Sequence, residues 1–203
     1  LLAAATLIAL LTFVPAPLVV SARGELQPRV RQHVYAPLDG IVEQVLVDRG
    51  RIDGLVNAAG LTDRASLVDG SIEDWTRLFA VNARAPFFLM QDAANLMKRQ
   101  KIEGSIVNIC SVNSHGGASY LAAYSASKGA LVTLTTNTAS ALLWDRIRVN
   151  AILPGWVDTP GEHETQKHFH SAPDDWLADV ERRRPFGRLI KVDELARCIA
   201  YLA

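Results

Sequence analysis

Residues 104–155 read GSIVNICSVNSHGGASYLAAYSASKGALVTLTTNTASALLWDRIRVNAILPG, and this stretch decides the fold. Gly104–Ile109 is a short apolar run rich in β-branched residues, which predicts a buried strand. Ala122–Leu143 has the length and composition of a helix, and Ile147–Ile152 predicts a further strand that ends at Pro154-Gly155. A strand, a long helix and a second strand in this order predict one crossover unit of a parallel sheet.

The same alternation continues on both sides of this unit. Upstream, Ile52–Val56 predicts a strand and Ile72–Lys101 a helix, on which apolar residues recur along one side. Downstream, Asp193–Leu202 predicts a last helix. We therefore predict an α/β fold from about residue 51, with a Rossmann-like, doubly wound parallel sheet covered by helices on both faces.

Composition excludes several classes of protein. The 203 residues carry 21 basic and 21 acidic side chains and are 49% hydrophobic, which is typical of a globular domain without a nucleic-acid-binding charge excess. The two cysteines, Cys110 and Cys198, are far apart and lack partners at metal-ligand spacing. A disulfide scaffold and a zinc site are therefore not expected.

The first 50 residues differ from the rest in composition. Residues 1–20 carry no charge and are long enough to span a bilayer as a helix, although Pro15 and Pro17 shorten the uninterrupted part to a length typical of a signal peptide. We predict an apolar membrane-anchor or signal-like helical segment over 1–22, with a buried core helix as the alternative. A membrane contact through residues 1–20 follows from the first of these interpretations.

Residues 23–50 predict a short β-rich or linker segment. Two short strands are expected around a turn at Leu38-Asp39-Gly40. Together with the apolar run, residues 1–45 weakly resemble the start of a membrane-fusion adaptor of bacterial secretion systems. The long coiled-coil hairpin of such adaptors has no counterpart in the sequence, and residues 51–203 are treated as the main domain.

Tyr124 and Lys128 are the first candidates for chemistry. They are four residues apart on a predicted helix, so their side chains project from the same face, one turn apart. A phenol has a pKa of about 10, and a nearby ammonium favours the phenolate, which makes the phenol a better proton shuttle. The alternative is an ordinary helix face without a chemical role.

Ser111 follows the strand Gly104–Ile109 almost directly and precedes Tyr124 by thirteen residues. The carboxyl ends of strands are where open α/β sheets place their ligands. The Ser111 hydroxyl could therefore bind the carbonyl or alcohol oxygen of a substrate while Tyr124 transfers the proton. The alternative is a serine that caps a turn.

Several motifs in the same order resemble the short-chain dehydrogenase/reductase family. They are Asn57-Ala58-Ala59-Gly60 after a strand, Asn82 within a helix, Ser111, the Tyr124–Lys128 segment, and the segment from Asn150 to Gly155. The resemblance covers about residues 51–203. It implies reversible hydride transfer between NAD or NADP and an alcohol/carbonyl pair, in which the cofactor supplies the hydride and the protein orients the reactants and handles the proton.

The resemblance also implies a set of site residues. The catalytic set is Asn82, Ser111, Tyr124 and Lys128. The cofactor-binding set is Asn57, Ala58, Gly60, Tyr124, Lys128, Pro154, Gly155, Val157 and Thr159, of which the last two would anchor the nicotinamide carboxamide. His115 and Trp156 flank the expected pocket and are candidates for substrate contact.

The sequence departs from the family pattern at both ends. No Gly-rich turn with the spacing needed to hold a pyrophosphate precedes Arg51, and the chain stops at Ala203, before the family's final strand. We therefore expect an incomplete sheet without its first strands and its last strand. We also expect weak dinucleotide binding by this polypeptide.

Residues 161–184 occupy the place of the family's mobile substrate lid. His163, His168 and His170 lie there beside two glutamates, which leaves a metal site conceivable, but a solvated lid fits the sequence better and no metal is predicted. We expect Cys110 to be a core residue rather than a nucleophile.

The leading functional interpretation is therefore a cytoplasmic dehydrogenase/reductase. Sugars, polyols and 3-oxoacyl compounds are its candidate substrates, and pairing of the two long helices predicts a homo-oligomer. Membrane attachment through residues 1–20 is left open. The alternative, from another class, is a truncated or fused membrane-anchored protein whose dehydrogenase-like part is a non-catalytic association surface.

Overall fold

The structure is a computed structural model and describes residues 51–203. The segments predicted over 1–22 and 23–50 lie outside the described residues. The described residues form two compact units, one of residues 51–153 with 202–203 and one of residues 154–201.

A parallel three-stranded sheet forms the centre of the larger unit. Its strands are β1 (Gly54–Asn57), β2 (Ser105–Ile109) and β3 (Arg148–Ile152), in the order β1-β2-β3. The middle strand β2 is buried at four of its five positions, as expected for a parallel strand covered on both faces. The predicted Rossmann-like parallel arrangement is confirmed.

A long helical segment follows β1 and contains a break that the sequence pattern did not indicate. Helix α1 (Ile72–Phe79) begins after Ser71, whose Oγ accepts a hydrogen bond from the Asp74 amide. The chain then passes through a π-helical turn (Ala80–Arg84) into α2 (Ala85–Gln100). The helix predicted over residues 72–101 is therefore present in extent, but it is interrupted at its centre.

Helix α3 (Ala122–Ala141) connects β2 to β3 and completes the crossover unit. Side chains from α2, β2, β3 and the end of the crossover form the main core of this unit: Met90, Ala94, Met97, Ile102, Ile106, Leu142, Ile147 and Val149. Burial of a large aliphatic side chain contributes about 1.5–3 kcal/mol, so these contacts fix α2 against the sheet. None of the helices in the described part of the chain has the length and apolarity needed to cross a bilayer.

The smaller unit, residues 154–201, contains a second parallel pair of strands. Strand β4 (Val157–Asp158) pairs with β5 (Ile190–Lys191), and each has only two residues, which explains why hydrophobic patterning missed them. The segment predicted as a lid forms α4 (Pro160–His170) and α5 (Trp176–Arg182). The last helix, α6 (Val192–Leu202), matches the prediction within one residue.

Candidate active site

The ends of β1 and β2 bring the first predicted site residues together. Asn57 is the last residue of β1 and lies beside Asn108 of β2 in the parallel register. The Asn57 Nδ2 donates a hydrogen bond of 2.7 Å to Asn108 Oδ1, and both side chains are buried. The chain that follows, Ala58 to Gly60, therefore leaves the sheet from a fixed point at its carboxyl edge.

Asn82 lies in the π-helical turn between α1 and α2 and is fully buried. Its amide makes two hydrogen bonds to the Leu61 backbone, each 2.8 Å, and Nδ2 also donates to Ser127 Oγ at 3.0 Å. Single π turns inside helices are frequent at functional sites. Asn82 thus fixes the loop after Gly60 against α3, and its membership of the catalytic set stays a prediction.

Tyr124 and Lys128 occupy the first turns of α3. Lys128 is only 4% exposed, and its Nζ donates a hydrogen bond of 2.9 Å to the carbonyl of Ile109, the last residue of β2. Tyr124 is partly buried against the cluster that includes Ala65, and its carbonyl accepts a 2.7 Å hydrogen bond from Ser127 Oγ. The helix therefore directs the ammonium to the carboxyl end of the sheet.

The Lys128 ammonium is held in a poorly solvated position. Burial lowers the pKa of Lys128 to about 8, and the neighbouring Cys110 opposes this effect. Burial likewise raises the pKa of the Cys110 thiol, which agrees with its expected role as a core residue. No carboxylate forms an ion pair with Lys128 within residues 51–203. The positive charge is therefore available to a phenolate or to a bound hydroxyl.

Gly60 leaves the space in which this ammonium lies. A Cβ at Gly60 would be 3.1 Å from Lys128 Nζ and 3.7 Å from Asn82 Oδ1. A side chain here would therefore press on the lysine. The absence of a side chain at Gly60 lets the ammonium lie close to this segment of backbone.

Ser111 takes the place predicted for it and also acts as a turn cap. It is buried directly after the end of β2, and its Oγ accepts a 3.2 Å hydrogen bond from the Asn113 amide at the start of a 3₁₀ turn, Val112–His115. A serine hydroxyl can accept this bond and still donate its own proton. The two interpretations of Ser111 are therefore compatible.

His115 ends that 3₁₀ turn and is exposed. It lines a groove of about 640 Å³ together with residues 114, 116–119 and Leu67, and with positions 122, 125, 126 and 129 of α3. Tyr124 and Lys128 are not among the lining residues, because they project from a different side of the helix. Substrate contact by His115 remains a prediction.

The remaining predicted residues belong to the unit of residues 154–201. Pro154 and Gly155 lead into β4, which begins at Val157, and Thr159 caps α4 by accepting a 3.0 Å hydrogen bond from the Glu162 amide. Trp156 stacks on Trp176 at 5.8 Å, and the Arg184 guanidinium lies 4.7 Å from the Trp156 ring centre. These contacts give the segment after Pro-Gly a defined conformation within its unit.

Asp158 is the centre of a polar network that the sequence did not indicate. It accepts hydrogen bonds of 2.9 Å from His163 Nε2 and from Lys191 Nζ, and Lys191 also donates to Glu181 at 3.0 Å. The hydrogen bond with Lys191, followed by that with His163, lowers the pKa of Asp158. Lys191 is 33 residues away in the chain, and no local pattern connects it with Asp158.

His163 lies between two hydrogen-bonding neighbours. Its Nδ1 accepts a 3.2 Å hydrogen bond from Trp176 Nε1, and its Nε2 lies 2.9 Å from Asp158 Oδ1. These two contacts explain the orientation of the His163 ring without a metal ion. No group of three metal-ligating side chains is found anywhere in the described residues.

We predict that Asp158→Asn lowers the thermal stability of the unit of residues 154–201 at neutral pH. The carboxylate accepts hydrogen bonds from Lys191 and His163, and polar contacts of this exposure are worth about 1 kcal/mol or less each. Because the pKa of Asp158 is lowered by folding, its contribution is present above its unfolded pKa and is lost as the pH falls through the folded value.

Thermal melts at pH 7 and pH 3 measure this effect. The variant melts below the wild type at pH 7, and the two curves approach each other at pH 3. Asp174→Asn is the control, because that carboxylate also pairs with a lysine but is 94% exposed. An equal loss at both pH values contradicts the electrostatic explanation.

Comparison with known proteins identifies the family. A family model described as enoyl-(acyl carrier protein) reductase matches residues 35–203. The match enters the segment assigned above to an adaptor-like start, and the comparisons give no support to the resemblance of residues 1–45 to membrane-fusion proteins.

Individual relatives agree with this match. The chain is 35% identical over 175 residues to a short chain dehydrogenase of Penicillium rubens, covering 80% of this chain and 66% of that protein. It is 39% identical over 163 residues to a 3-oxoacyl-acyl-carrier-protein reductase of Thermotoga maritima, covering 80% and 63%. It is 34% identical over 174 residues to galactitol 2-dehydrogenase of Agrobacterium fabrum, and this alignment covers 83% of this chain and 67% of that protein. The chain thus spans about two thirds of the length of these relatives.

Solved structures show the same relationship. A gluconate 5-dehydrogenase from Burkholderia cenocepacia in complex with NADP and tartrate superposes with a TM-score of 0.66 at 33% identity, over 77% of this chain and 59% of that one. NAD⁺-bound xylitol dehydrogenase superposes with a TM-score of 0.67 at 29% identity, over 75% of this chain and 62% of that one. The chain belongs to the short-chain dehydrogenase/reductase family.

Proposed function

We propose that this protein is an NAD(P)-dependent oxidoreductase that interconverts an alcohol and a carbonyl compound. The observation that carries the proposal is the Tyr124–Lys128 arrangement. A buried ammonium without a carboxylate partner in the described residues lies one helical turn from a partly buried phenol. This is the environment in which a tyrosine exchanges a proton near neutral pH.

Three side chains have distinct roles in the proposed reaction. The Tyr124 hydroxyl gives its proton to the carbonyl oxygen during reduction, or accepts the alcohol proton during oxidation. Lys128 stabilises the phenolate form by its charge. The Ser111 hydroxyl, at the end of β2, holds the same substrate oxygen, and the nicotinamide, when bound, supplies or accepts the hydride.

The residues around Lys128 fit a cofactor that carries ribose hydroxyls. An ammonium has three protons, and one of them is given to the Ile109 carbonyl. The other two protons are proposed to be donated to ribose hydroxyls of the bound cofactor. Asn57, Ala58 and Gly60 would then line the adenosine side, and Pro154, Gly155, Val157 and Thr159 the nicotinamide side, as the family resemblance implies.

The names of the relatives indicate which substrates to test. Among these relatives are a galactitol, a sorbitol and a xylitol dehydrogenase, two gluconate 5-dehydrogenases and a 3-oxoacyl reductase. Most of these substrates are chains of hydroxylated carbons. A secondary alcohol of a polyol or sugar acid is therefore the proposed substrate, and a 3-oxoacyl compound is the alternative.

Assays with purified protein test the proposal. Oxidation is measured with polyols or gluconate in the presence of NAD or NADP. Reduction is measured with an acetoacetyl thioester in the presence of NADH or NADPH. Both reactions are followed by the absorbance of the reduced nicotinamide. NADH and NADPH are also titrated by fluorescence. Because dinucleotide binding is expected to be weak, turnover of at least one substrate is expected at high cofactor concentration, whereas cofactor binding without any turnover would favour the non-catalytic interpretation.

The proposal includes a homo-oligomer that pairs the two long helices, α2 and α3. Phe87 and Phe88 near the start of α2 are 39% and 51% exposed and contact each other edge to face. Exposed aromatic pairs of this kind are enriched at protein interfaces. The cytoplasm, with its nicotinamide pool, is the proposed compartment.

We predict that Phe88→Glu lowers the oligomeric state. A charge at this exposed position cannot be buried in an interface without a large desolvation cost, whereas it costs the isolated chain little. Light scattering coupled to size exclusion gives the mass of each variant. Trp144→Glu, at a position 93% exposed outside both helices, is the control, and equal masses for Phe88→Glu and wild type contradict the prediction.

A further inference from the structure

Asn108 is a fully buried polar residue at the centre of the sheet. It lies in β2 between β1 and β3, and its relative exposure is 0%. Its strand neighbours Ile106 and Val107 are also fully buried. An apolar side chain is the usual choice at such a position, because a buried amide is costly unless its donors and acceptor are satisfied.

Both polar atoms of the Asn108 side chain are hydrogen-bonded. Its Oδ1 accepts from Asn57 Nδ2 at 2.7 Å. Its Nδ2 donates to Thr135 Oγ1 at 2.9 Å and approaches Met90 Sδ at 3.1 Å, and Thr135 Oγ1 donates in turn to the Leu131 carbonyl. One amide thus joins the end of β1 to helices α2 and α3.

The two ends of this hydrogen-bond network, Asn57 and Thr135, belong to the elements that carry the candidate site. Asn57 precedes the segment 58–60, and the missing Cβ of Gly60 defines the space beside Lys128 Nζ. Thr135 lies seven residues after Lys128 on the same helix, so both project from the same side of α3. The distance between Gly60 and the ammonium therefore depends on how β1 is held against α3.

We propose that Asn108 is a positioning residue that holds the segment 57–60 against α3 and so keeps Lys128 enclosed beside Gly60. A well-packed aliphatic residue would fill the same volume but would leave Asn57 and Thr135 without their partner. Buried amides of this kind fix the relative placement of packed elements, as a buried asparagine fixes register in coiled coils. Any consequence for activity rests on the proposed function, but the enclosure of Lys128 does not.

The test compares Asn108→Leu with Ile106→Ala. Both change a buried side chain on the same face of β2, but Ile106 makes no side-chain hydrogen bond. Pulse labelling of the full chain with acetic anhydride at a series of pH values, read by peptide mass spectrometry, gives the pH midpoint of Lys128. This measurement needs neither cofactor nor turnover.

In Asn108→Leu the segment 57–60 separates from α3 and water reaches the ammonium. The Lys128 midpoint is then expected to rise from about 8 by about one pH unit, with several-fold faster labelling at high pH. Ile106→Ala loses thermal stability without moving the midpoint. Combining Asn57→Ala with Asn108→Leu gives no further shift, since both remove the same link.

A midpoint in Asn108→Leu equal to that in Ile106→Ala overturns the inference. If Asn108→Leu does not fold, Thr135→Val removes only the α3 end of the link with little change of volume, and an unmoved midpoint there overturns it equally. Where wild type shows no turnover but the midpoint moves, the proposed function fails and the positioning role of Asn108 stands.

Discussion

Changing Tyr124 to phenylalanine lowers turnover by about 10²–10⁴-fold, the range over which a positioned proton donor accelerates a reaction. The substitution removes one hydroxyl and keeps the ring that packs with Ala65, Leu78 and Ala123. The fold and the cofactor site are therefore expected to persist. The loss falls on kcat, because the hydroxyl acts in the transition state rather than in binding.

The measurement is steady-state kinetics with the best substrate of the panel, together with NADH titration and a thermal melt of each variant. Tyr120→Phe is the matched control, since Tyr120 lies four residues earlier in the 3₁₀ turn before α3, is 50% exposed and contacts Arg64. Its kinetics are expected to stay near wild type. Turnover of Tyr124→Phe within a few-fold of wild type refutes the assignment of Tyr124 as the proton donor.

The parts of this site that could be predicted depend on local spacing. Tyr124 and Lys128 share a helix face because four residues make about one turn, whatever the helix packs against. Ser111 lies just past the end of β2 because the mainly apolar run that forms the strand ends at Cys110. The geometry of such motifs depends on only a few neighbouring residues, so the sequence is sufficient to predict the positions of these side chains on their helix or strand.

The parts that could not be predicted depend on contacts between distant elements. The link from Asn57 through Asn108 to Thr135 joins residues 51 and 27 positions apart. The Asp158–Lys191 pair joins two strands that are too short to show periodicity. Only the packed fold brings these side chains together, and a polar residue inside an apolar strand does not by itself indicate its partner.

The π-helical turn at Ala80–Arg84 illustrates a second limit. The apolar residues of 72–101 suit a continuous helix, and one wider turn changes their spacing too little to be recognised. The turn nevertheless carries Asn82, whose side chain joins the Leu61 loop to α3. The residue type was predicted from the family motif, whereas its side-chain partners required the structure.

Changing Lys128 to methionine is expected to make the protein more stable and inactive at pH 7. Folding moves the ammonium from water to a site where its pKa is lowered from 10.5 to about 8. A shift of this size corresponds to about 3 kcal/mol of unfavourable free energy for the charged form. Methionine has a similar length and carries no charge, so it avoids this cost but loses the hydrogen bond to Ile109, worth about 1 kcal/mol.

The pH dependence separates this explanation from a general packing effect. Below pH 8 the lysine is protonated in both the folded and the unfolded chain, and the full cost is present. Between 8 and 10.5 the folded chain binds fewer protons than the unfolded chain, so the stability of the wild type rises with pH. The advantage of Lys128→Met is therefore about 1–3 kcal/mol at pH 7 and shrinks as the pH approaches 10.

Urea unfolding of both proteins at pH 7 and pH 10 measures the difference. Lys98→Met is the control, because Lys98 is 46% exposed and pairs with Asp145 on the surface, where removal of a charge changes stability little. A Lys128→Met protein that is less stable than wild type at pH 7, or whose advantage does not depend on pH, contradicts the prediction. A gain in stability accompanied by loss of turnover means that the fold keeps a costly buried charge for the chemistry of the site rather than for its own stability.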